Sequence, residues 1–280
     1  MDDNNSNPDA GSTGKAVPFP ATEFFDGLPE PDLLAFATAA EKKHYAKGDY
    51  IFAQENNATH FYIVISGWVR LYRTTPDGQE ATAGVLTTGA VIGENAVFEN
   101  AYQYSAQAIE AAEVSAIPVS LFRERMAQSP NLMLRVTQEL ARKLESAQLQ
   151  IEHSTLKSAL QRVGCLLLRL SANITGAGGA FNFPYDKKIA AQQLGMQRET
   201  FSRGLSGLRP VGVTVKGSEI GVDNFQRLTD YVCKGCSAYP DKCPGPRVDA
   251  SGRKMPLYKK LYFFVGGVLC DTYGGLLQIF

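Results

Sequence analysis

The segment from Lys187 to Leu208 places the tightest constraint on what this chain can fold into. Its sequence, KKIAAQQLGMQRETFSRGLSGL, has apolar residues at helical spacing on both sides of Gly195. Glycine tolerates the positive φ that a sharp turn between two helices requires. The pattern therefore predicts a helix-turn-helix whose second helix runs from about residue 197 to residue 208.

The predicted second helix has an apolar face and a polar face. Its polar face carries four residues at positions i, i+1, i+4 and i+5: Arg198, Glu199, Ser202 and Arg203. Arginine can bind guanine O6 and N7 with two hydrogen bonds, and glutamate can accept one from the cytosine N4 amine. Such a helix fits the reading of base edges in the major groove of DNA, whereas the alternative is an ordinary solvated helix face. Gly204 and Gly207 each lower the intrinsic stability of this helix by about 1 kcal/mol relative to alanine.

The motif RETFSR at residues 198–203 resembles the recognition helix of the Crp/Fnr family of transcription regulators. In that family, the positions matching Arg198, Glu199 and Arg203 contact a half-site that contains GA. The resemblance covers about residues 24–230. It implies an α+β fold with an N-terminal β-roll similar to cyclic-nucleotide-binding domains, a long dimerisation helix and a C-terminal winged helix-turn-helix.

The same resemblance implies partners and excludes some classes of protein. It implies a homodimer on a palindromic site in double-stranded DNA, contact with RNA polymerase, and a regulator rather than an enzyme. One rival is a cyclic-nucleotide-binding regulatory subunit of an enzyme or channel, which would need a catalytic or membrane domain. A second rival is a structural β-roll scaffold, which the RETFSR helix disfavours.

The length of the chain is sufficient for two domains. Its net charge is near zero, so DNA binding would depend on a local cluster of cationic side chains rather than on the charge of the whole protein. The 280 residues carry 28 basic and 28 acidic side chains. One stretch of thirty residues inside the predicted DNA-binding domain carries six cationic side chains: Lys187, Lys188, Arg198, Arg203, Arg209 and Lys216. The polar N-terminus (residues 1–23) lacks the apolar core of a signal peptide, and we expect its first fifteen or so residues to be disordered. The five cysteines, an odd number, do not resemble a secreted disulfide framework and indicate a cytoplasmic protein with mostly reduced thiols. We also expect no membrane among its partners.

Residues 24–129 form the predicted sensor domain. Short apolar or alternating runs recur about every ten residues and are separated by turn sequences such as Lys47-Gly48-Asp49 and Pro76-Asp77-Gly78. This spacing predicts a β-roll or jelly roll. The stretches at 47–80 and 89–108 resemble the sensor domain of the Crp/Fnr family.

That resemblance also points to an effector pocket. In members that bind cyclic AMP, the position matching Gly93-Glu94 opens a phosphate-binding cassette, and an Arg-Ser pair closes it. Here Ser105 is present, but Tyr104 stands at the arginine position. Because a buried phosphodiester without a cationic partner is strongly disfavoured, we expect a structural role for Glu94 and an effector other than cyclic AMP. The alternative for the whole pocket is a packed core without a ligand.

The motifs TPDGQE (75–80) and YSAQA (104–108) are most similar to the subgroup that regulates denitrification in response to nitric oxide. The resemblance therefore implies a small-molecule or gas effector and haem as a cofactor. The sequence has three histidines that could serve as axial ligands, His44, His60 and His153, and the alternative for each is a surface or capping residue. The N-terminal cysteine cluster of the oxygen-sensing iron–sulfur members is not present.

Residues 130–158 have the pattern of a long helix. Mostly apolar residues recur with heptad spacing in two series: Met133, Leu140 and Ala147, and Thr137, Leu144 and Ile151. This pattern predicts a parallel dimer helix, and the alternative is a helix packed on its own domain. Two recognition helices about one DNA turn apart would then read a palindrome. In the predicted DNA-binding domain (159–230), strands flanking Lys216-Gly217-Ser218 predict a hairpin wing whose Lys216 reaches phosphate.

The remaining residues, 231–280, contain Cys233, Cys236 and Cys243 in the spacing C-x2-C-x6-C. Such a pair can chelate zinc or an iron–sulfur cluster, with Cys270, His153 or a partner chain completing the site. The chain would then be a metal or redox sensor, and the alternative is a set of free or redox-active thiols. Residues 256–280 are apolar but broken by Asp271 and by glycines, which argues against a membrane-spanning helix and leaves their role open.

Overall fold

The computed structural model describes residues 24–25, 28–176 and 178–238, together with the backbone of 263–265, 268–270 and 276–277. It divides into two compact units, residues 1–144 and 145–280. The expected disorder of the N-terminus, the side chains of Cys243 and Cys270, and most of the C-terminal tail lie outside the described residues.

The described part of the first unit is a β-roll flanked by helices, as the sequence predicts. Its eight strands form two antiparallel sheets with the orders β1-β8-β3-β6 and β2-β7-β4-β5. The strands are β1 Glu41–Tyr45, β2 Tyr50–Phe52, β3 His60–Ser66, β4 Val69–Thr74, β5 Glu80–Leu86, β6 Val91–Ile92, β7 Ser105–Ala108 and β8 Ala112–Pro118. The helices are α1 Glu30–Ala39, α2 Val119–Gln128 and α3 Pro130–Leu156, and a 3-10 turn spans Glu94–Val97.

A cluster of aromatic rings joins α1 and α2 to the roll. The Phe122 ring stacks on Phe36 with 5.4 Å between centroids and meets Phe61 of β3 edge-on at 4.9 Å. All three side chains are almost completely buried. Stacked and edge-on pairs of this kind contribute about 0.5–1.5 kcal/mol beyond the burial of their area.

Gly67, between β3 and β4, shows why one turn of the roll needs glycine. Its φ is +86°, and an added Cβ would lie 2.2 Å from the carbonyl oxygen of Ala111. Any other residue would push the start of β8 away from this turn.

The long helix α3 buries one stripe and exposes another. Leu132 and Val136 belong to the core of the roll. The six positions of the predicted dimer seam are exposed in the single chain: Met133, Thr137, Leu140, Leu144, Ala147 and Ile151. The seam is thus an apolar face that the chain's own described residues leave uncovered.

The second unit contains a helical core and a small antiparallel sheet of order β10-β11-β9. Its elements are α4 Ala159–Ile174, β9 Gly179–Asn182, α5 Lys187–Gln193, α6 Arg198–Gly207, β10 Val213–Lys216, β11 Glu219–Val222 and α7 Phe225–Cys233. The backbone of β12 Phe263–Val265, β13 Val268–Cys270 and β14 Leu276–Leu277 forms a separate antiparallel sheet. A capping box starts α4, because Ser158 accepts from the Gln161 amide and the Gln161 side chain accepts from the Ser158 amide.

Three helical glycines let the helices of this unit approach closely. A Cβ on Gly164 would lie 2.5 Å from a methyl group of Val232 in α7. On α6, a Cβ on Gly204 would lie 2.9 Å from Val163, and one on Gly207 would lie 3.0 Å from Leu160. Gly204 and Gly207 lower the intrinsic stability of the predicted recognition helix, but the absence of their side chains lets this helix pack closely against α4. Among the described residues, no helix combines the length and apolarity that crossing a membrane demands.

Candidate nucleic-acid interface and effector pocket

Hydrogen bonds at both ends of α5 fix this helix and the turn that leads from it into α6. The Asp186 carboxylate accepts a hydrogen bond from the Lys188 amide at 2.6 Å and caps the N-terminus of the helix. At the other end, Arg162 of α4 donates to the Leu194 carbonyl at 2.9 Å. Gly195 then takes φ +60°, the conformation that the sequence predicts for this turn. The orientation of the next helix is therefore set by contacts on both sides.

Helix α6 presents one buried face and one exposed face. Phe201, Leu205 and the capping residue Leu208 are buried, and the Phe201 ring meets Phe183 edge-on at 6.0 Å. The exposed face contains the four predicted base-contacting residues: Arg198, Glu199, Ser202 and Arg203. Within the described part of the chain, no ion pair occupies these two arginines, so they can meet an external acceptor.

A hairpin wing stands beside this helix pair, as the sequence predicts. Strands β10 and β11 pair from Val213–Val222 to Lys216–Glu219, and Lys216 is exposed at the tip. The Lys187 ammonium donates to the Gly217 carbonyl at 2.7 Å, which joins the start of α5 to the wing tip. Sequence reasoning counted Lys187 only as a local cation, because a contact across thirty residues leaves no local signal.

In the sensor unit, the predicted pocket residues are already engaged by the protein. Glu94 forms an ion pair with Lys143 of α3. The Ser105 hydroxyl is buried and accepts from the Gln54 amide at 3.0 Å. Gly93 has φ +75°, and an added Cβ would contact the ring of Tyr102 at 3.3 Å. These contacts support a structural role for Glu94.

Three aromatic side chains, Phe52, Tyr102 and Tyr104, stand in the wall of the predicted effector pocket. The rings of Phe52 and Tyr102 stack with 4.0 Å between centroids, and the Arg73 guanidinium lies 4.5 Å from the centroid of the Tyr104 ring. The cavity whose walls include Phe52, Glu94, Tyr102 and Tyr104 measures about 40 Å³. Small-molecule pockets typically measure about 300–1,000 Å³, so this cavity has room for roughly one water molecule.

A larger cavity lies between the roll and the first part of α3. It measures about 260 Å³, and its walls include Phe24, Val91, Glu139, Arg142 and Lys143. A third cavity beside it measures about 10 Å³ and is lined mainly by phenylalanine and valine side chains. No local sequence pattern indicates the larger cavity, because its volume depends on how α3 packs against β6.

The histidines are not placed as haem ligands among the described residues. His44 is exposed on β1, with Nδ1 3.5 Å from Glu113. His60 Nδ1 lies 2.9 Å from the Thr59 hydroxyl, and burial lowers the pKa of His60. None of the three cavities described above has a histidine in its wall, so none of them places a histidine against a bound haem.

His153 lies instead beside one of the C-terminal cysteines. Its Nε2 is 3.4 Å from Sγ of Cys236, and burial lowers the pKa of the imidazole. The neighbouring Glu152 carboxylate accepts hydrogen bonds from the backbone amide and the hydroxyl of Ser237. Cys233 ends α7 and is not part of this group of ligand atoms, and Cys243 lies outside the described residues.

Comparisons with known proteins find a matching domain family in each of the two units. Residues 42–129 match the cyclic nucleotide-binding domain, and residues 161–231 match the Crp-like helix-turn-helix domain. The nitrogen fixation regulation protein FixK of Bradyrhizobium diazoefficiens is 30% identical over 66% of this chain and 78% of its own length. The cyclic AMP receptor protein of Thermus thermophilus is 32% identical over 69% of this chain and 88% of its own.

The fold comparison leads to the same family. The structure of FixK2 from Bradyrhizobium japonicum superimposes with a TM-score of 0.62 and 25% identity, covering 68% of this chain and 96% of that chain. The chain belongs to the Crp/Fnr family of sequence-specific, DNA-binding transcription regulators.

Proposed function

We propose that this regulator binds a palindromic site as a cytoplasmic homodimer and reads each half-site with Arg198, Glu199 and Arg203. The observation that carries the proposal is the exposed row of polar side chains on α6, which the capped turn and the wing leave open. Ser202 contributes a smaller polar contact, and Lys216 reaches the phosphate backbone. RNA polymerase is the partner through which the bound dimer acts on transcription.

Selection of binding sites from random double-stranded DNA tests this proposal. We expect an inverted repeat with half-site centres about 34–36 Å apart, one helical turn, and a GA step in each half-site. The double variant Arg198→Ala/Arg203→Ala serves as the control and is expected to select no consensus. A single half-site or a direct repeat from the native chain would contradict the palindromic arrangement.

Cyclic AMP is not the effector under this proposal. Tyr104 stands where cyclic-AMP-binding members carry an arginine, and the cavity beside it has about 40 Å³. We expect no heat of binding when cyclic AMP is titrated into the native chain at physiological concentration. The Thermus cyclic AMP receptor protein is a suitable positive control for the assay.

The variant Tyr104→Arg tests whether the missing cation or the small volume of the pocket excludes cyclic AMP. It supplies a cation for the phosphate but leaves the Phe52–Tyr102 stack in the pocket, so we expect it not to bind cyclic AMP either. Micromolar binding by the native chain would overturn the prediction. Micromolar binding by Tyr104→Arg alone would show that the missing cation, rather than the filled space, excludes the nucleotide.

We further propose that the controlling signal is nitric oxide or a change in redox state. The support is the similarity of TPDGQE (75–80) and YSAQA (104–108) to the nitric-oxide-responsive subgroup. The test measures the DNA affinity of anaerobically purified protein when it is untreated, exposed to nitric oxide or exposed to an oxidant. An absorption spectrum of the purified protein accompanies these measurements. Equal affinity in all three conditions (untreated, nitric oxide and oxidant) would exclude both signals.

A further inference from the structure

Three side chains with different ligand atoms converge where the end of α3 meets the residues after α7. A carboxylate oxygen of Glu152, a ring nitrogen of His153 and Sγ of Cys236 all lie within 4.8 Å of one another. All three side chains are partly buried, and the Cys236 thiol is free. Carboxylate, imidazole and thiolate are the three ligand types that zinc accepts in proteins.

The separation of the two softer ligands agrees with a shared metal ion. Bonds of about 2.3 Å to sulfur and 2.0–2.1 Å to nitrogen at a tetrahedral angle place the two ligand atoms about 3.5 Å apart. The structure has 3.4 Å between Sγ of Cys236 and Nε2 of His153. Only small adjustments of these side chains are needed for both to bind one ion.

The glutamate is oriented by contacts typical of the outer shell of a metal site. The backbone amide of Ser237 donates to Oε1 of Glu152 at 3.2 Å, and the Ser237 hydroxyl donates to Oε2. Outer partners of this kind fix the direction of a ligating carboxylate and support metal affinity. Because Ser237 follows Cys236 directly, the same short segment supplies one ligand and orients another.

We propose that Glu152, His153 and Cys236 bind one divalent transition-metal ion of borderline softness, such as Zn²⁺, with water in the fourth position. The ion would join the last turn of α3 to the segment that follows α7. Its ligands differ from a site built on Cys233, Cys236 and Cys243, because two of them come from the long helix. The proposal is independent of the DNA contacts and of the effector proposed above.

Zinc titration of the full-length, reduced and metal-free protein against a chromophoric chelator tests the proposal. We expect one Zn²⁺ per chain, and a cobalt derivative that shows thiolate-to-metal charge transfer with tetrahedral visible bands. Cys236→Ser, His153→Gln and Glu152→Gln should each weaken zinc binding by at least tenfold, and Cys236→Ser should remove the charge-transfer band. Ser237→Ala should weaken binding by roughly 10–100-fold without removing a ligand.

Matched variants keep the result interpretable. Cys165→Ser in α4 and Cys233→Ser in α7 remove thiols outside the ligand group and should leave zinc affinity unchanged. Circular dichroism checks that each variant is folded. Glu152→Gln changes a partly exposed side chain, and Ser237→Ala changes an exposed one. The proposal is overturned if no zinc binds. It is equally overturned if an iron–sulfur spectrum depends on Cys233, or if zinc binding survives both His153→Gln and Glu152→Gln.

Discussion

Replacing Leu144 by glutamate is expected to convert the proposed dimer into a monomer. Leu144 is 61% exposed in the single chain, so the substitution leaves the packing of the protomer itself intact. In a parallel dimer, the two glutamates would face each other within an apolar seam. Burying an unpaired charge costs about 3–5 kcal/mol, which corresponds to roughly a 10²–10⁴-fold rise in the dissociation constant of the dimer.

Light scattering and sedimentation measure this directly, and DNA binding supplies a second readout. A monomer holds a single recognition helix, so its affinity for a palindrome should fall close to its affinity for random DNA. Ala141→Glu is the matched control, because Ala141 is also exposed on α3 but lies outside the six seam positions. If Leu144→Glu remains dimeric at the concentration where the native chain dimerises, the interface lies elsewhere.

Replacing Arg198 or Arg203 by alanine is expected to have a comparably large effect on sequence-specific binding. Each arginine that reads guanine contributes about 1–3 kcal/mol of base discrimination per half-site. Both half-sites lose the contact in a homodimer, so the total is about 2–6 kcal/mol, or roughly a 30-fold to 10⁴-fold loss. Binding assays on the selected palindrome and on variants at each base pair would show relaxed specificity at one position per half-site.

Lys216→Ala in the wing is the matched control for these two arginines. A phosphate contact carries no base information, so its loss should weaken binding to all sequences about equally. It should also reduce the dependence of log affinity on log salt concentration by about one per lost contact. If Arg198→Ala and Arg203→Ala behaved in the same way as Lys216→Ala, both arginines would be phosphate contacts and the base-reading proposal would fail.

Local patterns predicted the recognition helix within one residue at each end. The expected span of 197–208 contains α6 Arg198–Gly207 together with its two capping residues, Gln197 and Leu208. Apolar residues at helical spacing and a glycine at the turn are short-range signals, and both depend on backbone geometry alone. The wing and most strands of the roll were predictable for the same reason.

Some site features could not be derived from short-range patterns. The Glu94–Lys143 ion pair and the Lys187–Gly217 hydrogen bond join residues 49 and 30 positions apart. Gly204 and Gly207 weaken a helix when they are judged by propensity, whereas the structure places them where α4 approaches α6. Packing between residues that are far apart in sequence determines both the polar contacts and the close approach of the two helices. Helix propensity, which is a local property, does not describe such packing.

The sequence by itself determined the order of the elements, the polar face of α6, the heptad seam of α3 and the tyrosine at the arginine position of the pocket. Each of these follows from residue type and periodicity within a few turns of chain. Only the tertiary structure decided that the pocket holds about 40 Å³ and that His153 lies 3.4 Å from Cys236. A cavity volume and a contact across 83 residues depend on how side chains from separate elements fill space, because close packing is a property of the folded chain as a whole.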